Sequence, residues 1–236
     1  MTHEPEFFML LIGKEGLKKL VQKKEFLLKK GGIRMKGKTI VLLMIFSFIA
    51  AFSGCAGSKT YLIDVKYIPE KKAPPTSKIV GICPFEDARK EKGEETIGVR
   101  HRPGKNVDLL NVKGVSLSES VTQAVKDYFA EKGFGVTDCK GWDKSAEGLD
   151  RLPKDLSLVI GGKIDSFMVE AKSGITITNI QYRVKIEALI GQIGERKVVT
   201  RTIESTSKDK KMGFDPDKVK AKLNSTLTEV IQKLFK

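Results

Sequence analysis

Histidine is nearly absent from this chain, and cysteine is scarce. The 236 residues include two His and three Cys, and His101 is the only histidine after His3. Zinc sites need three or four His, Cys, Asp or Glu ligands at characteristic spacings, and no such spacing occurs. The sequence therefore predicts no metal site and no cofactor.

Signatures of catalysis are missing as well. The chain has neither a G-x-S-x-G nucleophile motif nor a G-x-x-x-x-G-K-[ST] phosphate loop. Asp138, Asp143 and Glu147 lie in turn-rich segments without a partner that would make an acid and base pair. We expect a protein that is not an enzyme.

No apolar run reaches the about 20 residues that span a bilayer. The longest extends from Ile40 to Phe52, is interrupted by Ser47, and follows Lys36 and Lys38. This length and charge are typical of an export signal, so we predict a signal peptide at 35–54. The alternative is a signal anchor with a chance cysteine near its end.

The run ends in Phe52-Ser53-Gly54-Cys55, which resembles the lipobox of bacterial lipoproteins. The resemblance implies cleavage between Gly54 and Cys55, and a diacylglyceryl and palmitate-bearing lipid on Cys55. Phe52 departs from the usual leucine. Ala56 follows, and no Asp stands at the position that retains many lipoproteins at the inner membrane. The resemblance thus implies an outer-membrane lipoprotein whose domain faces the periplasm.

The 34 residues before the signal are too many for the short charged region that opens an export signal. Lys29-Lys30-Gly31-Gly32 can be encoded by purine-rich codons that resemble a ribosome-binding site. We therefore predict that translation begins at Met35 and that 1–34 is an untranslated or non-native extension. Alternatively, its leucines and lysines form an amphipathic helix on a membrane surface.

The chain is basic. Cys55 to Lys236 carries 33 Lys and Arg against 25 Asp and Glu, a net charge of +8, and the first 54 residues add +6 to reach the total of +14. Anionic lipid headgroups or lipopolysaccharide are plausible partners for a basic domain held at a membrane. Nucleic acid is not expected, because the chain is exported and has no recognition motif.

Cys83 and Cys139 remain if Cys55 carries lipid. Disulfides form in oxidising compartments such as the periplasm, and both cysteines lie in or beside predicted strands. Two readings stay open, a disulfide between them or two buried thiols.

The remaining pattern predicts strands and two helices. Ile180, Tyr182 and Val184 alternate with polar residues, as in an antiparallel strand with one buried face. Ser116 and Asp215 precede apolar stripes at helical spacing and are typical N-caps. The predicted strands lie at 61–67, 79–85, 134–139, 156–164, 180–188 and 197–205, with a turn at 173–174 and a bulge near 178–179.

These elements predict an α+β domain over 61–236, joined to Cys55 by a tether at 55–60. We expect a two-layer sandwich, with a mainly antiparallel sheet and two helices packed on one face.

A charged stretch at 86–108 surrounds the turn at Pro103-Gly104 and reads as a long hairpin or a mobile loop. It mixes arginines with apolar residues, a composition suited to docking. Long loops in compact domains are usually functional or disordered. The predicted interaction residues are Arg89, Ile97, Val99, Arg100, His101 and Arg102, and the alternative is an exposed hairpin without a partner.

The order of these features resembles the YajG-like family of outer-membrane lipoproteins. The resemblance rests on the lipobox, the short tether, Phe85-Glu86-Asp87-Ala88-Arg89, Ile97-Gly98 and the helix that ends at Glu131-Lys132-Gly133-Phe134. The layout is also similar to LptE-type lipoproteins. The resemblance implies location and architecture, and no enzymatic mechanism.

Two functions follow as hypotheses. In the first, the protein is a non-catalytic assembly or accessory factor that binds another envelope protein, for example by strand addition. In the second, it is a module that binds lipid or lipopolysaccharide through its basic surface. Ionic strength separates them, because salt screens headgroup attraction far more than it weakens strand pairing.

Overall fold

The computed structural model describes residues 57–90, 93 and 95–236. The predicted extension at 1–34, the predicted signal peptide at 35–54 and the predicted lipidation residue Cys55 lie outside these residues. Ala56–Lys236 is one compact unit. Neither helix in the described residues is long and apolar enough to cross a membrane.

Eight strands in this part of the chain form one sheet. The strands are β1 (Thr60–Ile63), β2 (Ile79–Asp87), β3 (Thr96–His101), β4 (Val107–Val112), β5 (Gly135–Asp138), β6 (Leu156–Ser173), β7 (Ile177–Gln192) and β8 (Lys197–Met212). The helices are α1 (Leu117–Glu131) and α2 (Pro216–Leu234), and a short 3-10 helix covers Glu147–Arg151.

The 18-residue strand β6 is the axis of the sheet. One edge pairs antiparallel with β7 along nearly its whole length, and β7 pairs antiparallel with β8. The other edge is shared, because β2 pairs in parallel with the first half of β6 and β3 with the second half. β5 flanks β2, while β4 and then β1 flank β3.

The fold class is therefore confirmed as α+β, with long antiparallel strands and shorter parallel pairings in one mixed sheet. Both helices pack on the same face, since α1, α2 and that face contribute to one apolar cluster. Ser116 caps α1 in a reciprocal capping box with Glu119, and Asp215 caps α2 ahead of Pro216. These local signals correctly mark the start of each helix.

A smaller apolar cluster covers the face of the sheet opposite the helices, at the end where β6 begins. Its centre is Trp142, which is 7% exposed and donates its indole N–H to the carbonyl of Ser145 over 3.0 Å. A Cβ atom at Gly191 would lie 3.1 Å from the indole and 2.6 Å from Leu149. A larger residue at this position would therefore clash with Leu149 and crowd the indole ring.

Several strand predictions need correction. The bulge lies in β6 between Ile164 and Ser166, and not at 178–179, where β7 and β8 pair in continuous register. The first strand is shorter than predicted and ends at Ile63. Beyond it, side chains of α2 take the place of a strand partner, because Lys66 N–H donates to Asn224 Oδ1 and Ile68 N–H to Thr228 Oγ1.

Residues 96–101 and 107–108 of the charged stretch belong to the hairpin β3–β4, which lies within the sheet. Ile97 is 1% exposed and belongs to the main apolar cluster, as does Leu110. Ile97 is therefore a core residue that cannot line a docking surface, and the prediction that it is an interaction residue is wrong. Ile97 is a buried position of β3, whereas Val99, two residues later, is half-buried.

Arg89 occupies the gap between the two parallel partners of β6. Its guanidinium forms two hydrogen bonds of 2.8 Å with the carboxylate of Asp87 at the end of β2. It also donates to the carbonyl of Thr96 in β3 at 2.8 Å and to that of Phe167 in β6 at 3.3 Å. The Arg89 side chain is only 2% exposed, so the prediction that it lines an interaction surface is wrong.

The two cysteines beyond Cys55 are joined in the structure. A disulfide links Cys83 in β2 to Cys139 after β5, with the Cα atoms 4.5 Å apart. Closing a loop of this size in the unfolded chain stabilises the fold by about 4 kcal/mol in the chain-entropy treatment. The cross-link fixes the short edge strand β5 to its neighbour.

Replacing Arg89 with alanine should lower the free energy of unfolding by about 3 kcal/mol, because the ion pair of a buried guanidinium with the partly exposed Asp87 and two carbonyl contacts are lost together. Burial raises the pKa of Asp87, yet the hydrogen bonds from Arg89 outweigh it and hold that pKa below its ordinary value. The depressed pKa means that the pair stabilises above the unfolded-state pKa and loses its effect as pH falls through the folded-state value.

Chemical denaturation at neutral and acidic pH measures both effects. The difference in the free energy of unfolding between Arg89→Ala and the parent should be largest at neutral pH and should become smaller in acid. The neighbouring Lys90→Ala is the control, since Lys90 is exposed and such changes usually stay within about 0.5 kcal/mol. Equal losses of stability in both variants would show that the contacts of Arg89 with Asp87, Thr96 and Phe167 do not stabilise the sheet.

Candidate functional site

Four chain segments converge at one end of the sheet: 57–59, 102–106, 173–176 and 212–215. The strand registers place them together, because Thr60 lies opposite Leu109, His101 opposite Lys172, and Ile177 opposite Met212. The amide of Gly213 also donates to the carbonyl of Thr176 at 3.1 Å. We call this the tether end, since Gly57 is two residues from Cys55.

Arg100 connects these segments. Its Nε–H donates to Ser173 Oγ over 2.9 Å, which ties β3 to the β6–β7 turn. Its guanidinium lies 4.4 Å from the centre of the Phe214 ring, which precedes α2, and Phe214 in turn contacts Tyr61 with ring centres 5.4 Å apart. One cationic side chain thus holds β1, β3, the β6–β7 turn and the start of α2.

Asp108 is the buried anion under this arrangement. Its exposure is 0%, and its carboxylate lies 3.4 Å from Arg100 Nη1 and 3.1 Å from Arg102 Nε. The backbone N–H of Lys59 donates to Asp108 Oδ1 at 2.9 Å, and Arg102 donates to the carbonyl of Gly57 at 2.7 Å. The segment after Cys55 is therefore fixed to the domain from Gly57 onward, so the structure shortens the tether predicted at 55–60.

The surface of the tether end is apolar at its tips and basic around them. Ile175 is 98% exposed and Met212 is 90% exposed, on two turns that are hydrogen-bonded to each other. Ile177, opposite Met212 in the register, is 38% exposed. Five exposed lysines lie at this same end of the sheet: Lys59, Lys105, Lys172, Lys210 and Lys211.

A groove of about 460 Å³ adjoins this end between β8 and α2. Tyr182 lies in its floor, and Asp209, Lys211, Lys218 and Lys222 line its sides. Burial raises the pKa of Tyr182 to about 12, and the nearby Asp209 adds to the effect, so the phenol stays protonated at neutral pH. Among residues 57–90, 93 and 95–236, no group of three His, Cys, Asp or Glu side chains is placed to hold a metal ion.

The six residues predicted as an interaction loop separate into three groups. Arg89 and Ile97 are interior, as described above. Arg100 and Arg102 turn toward Asp108, while Val99 and His101 lie on the face of the sheet opposite the helices, in register with Glu170 and Lys172. The predicted surface is therefore not one patch, and its arginines have structural partners.

Sequence reasoning missed Asp108, although a signal was present. Leu110 and Val112 are buried and share its phase along β4, so an aspartate in this series marks a buried carboxylate that needs cationic partners. The partner follows from the hairpin register, which places Arg100 directly opposite Asp108.

No protein-family model matches the chain, and no curated protein matches it. Among solved structures, it is similar to protein XCC0632 from Xanthomonas campestris, of family DUF330, with 14% identity, a TM-score of 0.48, and coverage of 75% of this chain and 92% of that one. It is also similar to lipoprotein GNA1162 from Neisseria meningitidis, with 9% identity, a TM-score of 0.37, and coverage of 66% and 99%.

A further likeness is to the PelC dodecamer from Paraburkholderia phytofirmans, with 11% identity, a TM-score of 0.37, and coverage of 71% of this chain and 93% of that one. Identities and TM-scores this low carry no information on function. The functional argument therefore depends on the residues of this chain.

Removing the Asp108 carboxylate should release the tether end. Asp108→Ala removes the carboxylate that two arginines and the Lys59 amide share, and loss of one member of a buried ion pair costs about 3–5 kcal/mol. Asp108→Asn keeps an acceptor for the amide but no charge, so its loss should be smaller. Denaturation measures the stability, and hydrogen exchange at the amides of Lys59 and Leu109 reports the local release.

The control is Asp155→Ala, at an exposed position in the loop before β6. It should leave both stability and these two amides unchanged. Normal protection of Lys59 and Leu109 in Asp108→Ala would show that the carboxylate does not hold the tether end.

Proposed function

We propose that this protein is a lipid-anchored envelope lipoprotein, attached through Cys55 at the outer membrane and facing the periplasm, which acts without catalysis as an assembly or accessory factor. The lipobox-like sequence at 52–55 supports the anchor. The absence of Asp after the cysteine supports outer-membrane delivery. The disulfide between Cys83 and Cys139 suits the oxidising periplasm.

The observation that carries the interaction role is the edge of β8. This 16-residue strand pairs with β7 on one side, and the sheet order places no strand of the described residues on its other side. An unpaired strand edge offers a row of backbone donors and acceptors to a partner strand. The other outer strands, β1 and β5, have four residues each, so β8 is by far the longer edge.

The charge pattern along β8 leaves its centre accessible. Native edge strands are commonly protected from pairing by lysine and other charged residues. Here Arg201 and Lys208 enclose a stretch, 202–207, whose only charged residue is Glu204. Polar Ser and Thr residues dominate it, so it suits a reversible contact with a polar strand of another envelope protein.

Cys55→Ser should abolish metabolic labelling with palmitate, because no other position has the lipobox sequence. The double variant Cys83→Ala/Cys139→Ala is the matched control and should keep its label, since it retains Cys55 while losing both other cysteines. Gel autoradiography after labelling in a Gram-negative host makes the measurement. A persisting label on Cys55→Ser would rule out the anchor.

A photo-crosslinking residue at Thr206 should capture a specific envelope protein in intact cells. The same adduct should form when isolated membranes are washed in high salt before illumination. Strand pairing is little affected by ionic strength, whereas attraction to headgroups is screened. The same residue at Ser225, an exposed position on α2, should give no adduct. Equal capture at both positions, or none at Thr206, would refute docking at the β8 edge.

A further inference from the structure

The tips of the tether end expose large apolar side chains to solvent. Ile175 is 98% exposed on the β6–β7 turn, and Met212 is 90% exposed on the β8–α2 turn. Large apolar side chains on neighbouring turns, rimmed by charge, mark an interaction site more often than isolated ones do. The hydrogen bond from Gly213 to Thr176 keeps the two turns together.

Their position relative to Cys55 identifies what they face. Gly57 lies in this same end, held by Arg102 at 2.7 Å, and two residues of chain reach at most about 7 Å. A lipid on Cys55 therefore brings the bilayer surface within a few ångströms of the tether end. The strand registers that group the four segments also keep the far end of the sheet away from the bilayer.

The charges around the tips fit the same surface. Lys59, Lys105, Lys172, Lys210 and Lys211 are all exposed there. Two of the nearby carboxylates are engaged, since Glu170 pairs with Lys172 at 2.9 Å and Asp215 caps α2. A third, Asp209, is outnumbered by the adjacent Lys208, Lys210 and Lys211. Basic residues around apolar side chains are the pattern of segments that sit in the headgroup region of anionic membranes.

We propose that the tether end docks on the anionic phospholipid surface that holds the Cys55 lipid, with Ile175 and Met212 inserted among the headgroups and the surrounding lysines on phosphate. This rests on the proposed lipid anchor and deepens it. The contact need not be strong alone, because the anchor keeps the tips at a high effective concentration near the surface. Docking fixes the orientation of the sheet relative to the membrane.

Tryptophan placed at the tip tests the insertion in the acylated protein. The lone native tryptophan, Trp142, is buried at the far end of the sheet, and Trp142→Phe gives a silent background. In this background Ile175→Trp is compared with Val115→Trp, because Val115 is also an exposed apolar residue, 54% exposed, but follows β4 at the opposite end. Both proteins are reconstituted in vesicles that contain phosphatidylglycerol and brominated lipids.

We expect blue-shifted emission and quenching by brominated chains at position 175, with neither effect at position 115. Absence of quenching at position 175 would overturn docking, even with palmitate on Cys55. A blue shift at position 175 without quenching would show burial against protein, such as a second copy, and would also overturn it.

A second experiment separates this inference from the lipid anchor. The mature chain with Cys55→Ser has no lipid, and its partition onto phosphatidylglycerol vesicles is measured by sedimentation. Ile175→Ser/Met212→Ser should weaken that partition at least about tenfold, since two apolar side chains lose their burial, and Lys210→Gln/Lys211→Gln should reduce its salt dependence. Val115→Ser is the control and should not change it.

The two proposals then fail separately. Vesicle binding by the unlipidated chain that needs Ile175 and Met212, together with an unlabelled Cys55, would refute the anchor and keep the docking surface. If Cys55 carries palmitate and Ile175→Ser/Met212→Ser leaves the partition unchanged, the docking surface is refuted and the anchor is kept. Thermal melting confirms the fold of each variant, which such exposed positions should not disturb.

Discussion

A single buried carboxylate determines how the chain enters its fold. Asp108 is fully buried, and an ionised group without water is tolerated only when cations and N–H donors surround it. That demand turns Arg100 and Arg102 inward and fixes the Lys59 amide. The contacts of Arg100 with Ser173 and Phe214 then depend on the same anion. Loss of this carboxylate would therefore weaken the contacts among all four segments of the tether end.

The sheet has a second point of dependence, at the place where β6 changes partner. Two shorter strands share one edge of a strand of 18 residues, and the backbone between them needs other hydrogen-bond partners. Arg89 supplies one to Phe167, and the amide of Ala88 donates to Ile164 at 3.1 Å. The bulge between Ile164 and Ser166 falls in the same gap. The bulge and the buried Arg89 therefore both occur where the backbone of β6 has no strand partner on this edge, between its pairings with β2 and β3.

Local signals could be read from the sequence, whereas pairing could not. The caps at Ser116 and Asp215 and the alternation in β7 each depend on residues a few positions apart, and all were found. The parallel pairings of β2 and β3 with β6 join residues 71 to 78 positions apart, and no short pattern encodes them. The same limit explains the arginines: next to valine and isoleucine they resemble a docking surface, and only the hairpin register shows Asp108 opposite Arg100.

The two proposed surfaces are compatible because they lie at right angles on the same strands. The membrane surface would meet the ends of β6, β7 and β8, while the β8 edge runs along the strand for about 50 Å. With the tether end on the bilayer, the stretch at 202–207 lies near the middle of that edge, beyond the headgroups. A partner strand there would run roughly along the membrane normal. An anchor on a long, flexible linker would leave this orientation undetermined. The Asp108 cluster engages the chain two residues after Cys55, and so a lipid there would couple membrane attachment to the direction in which the edge is presented.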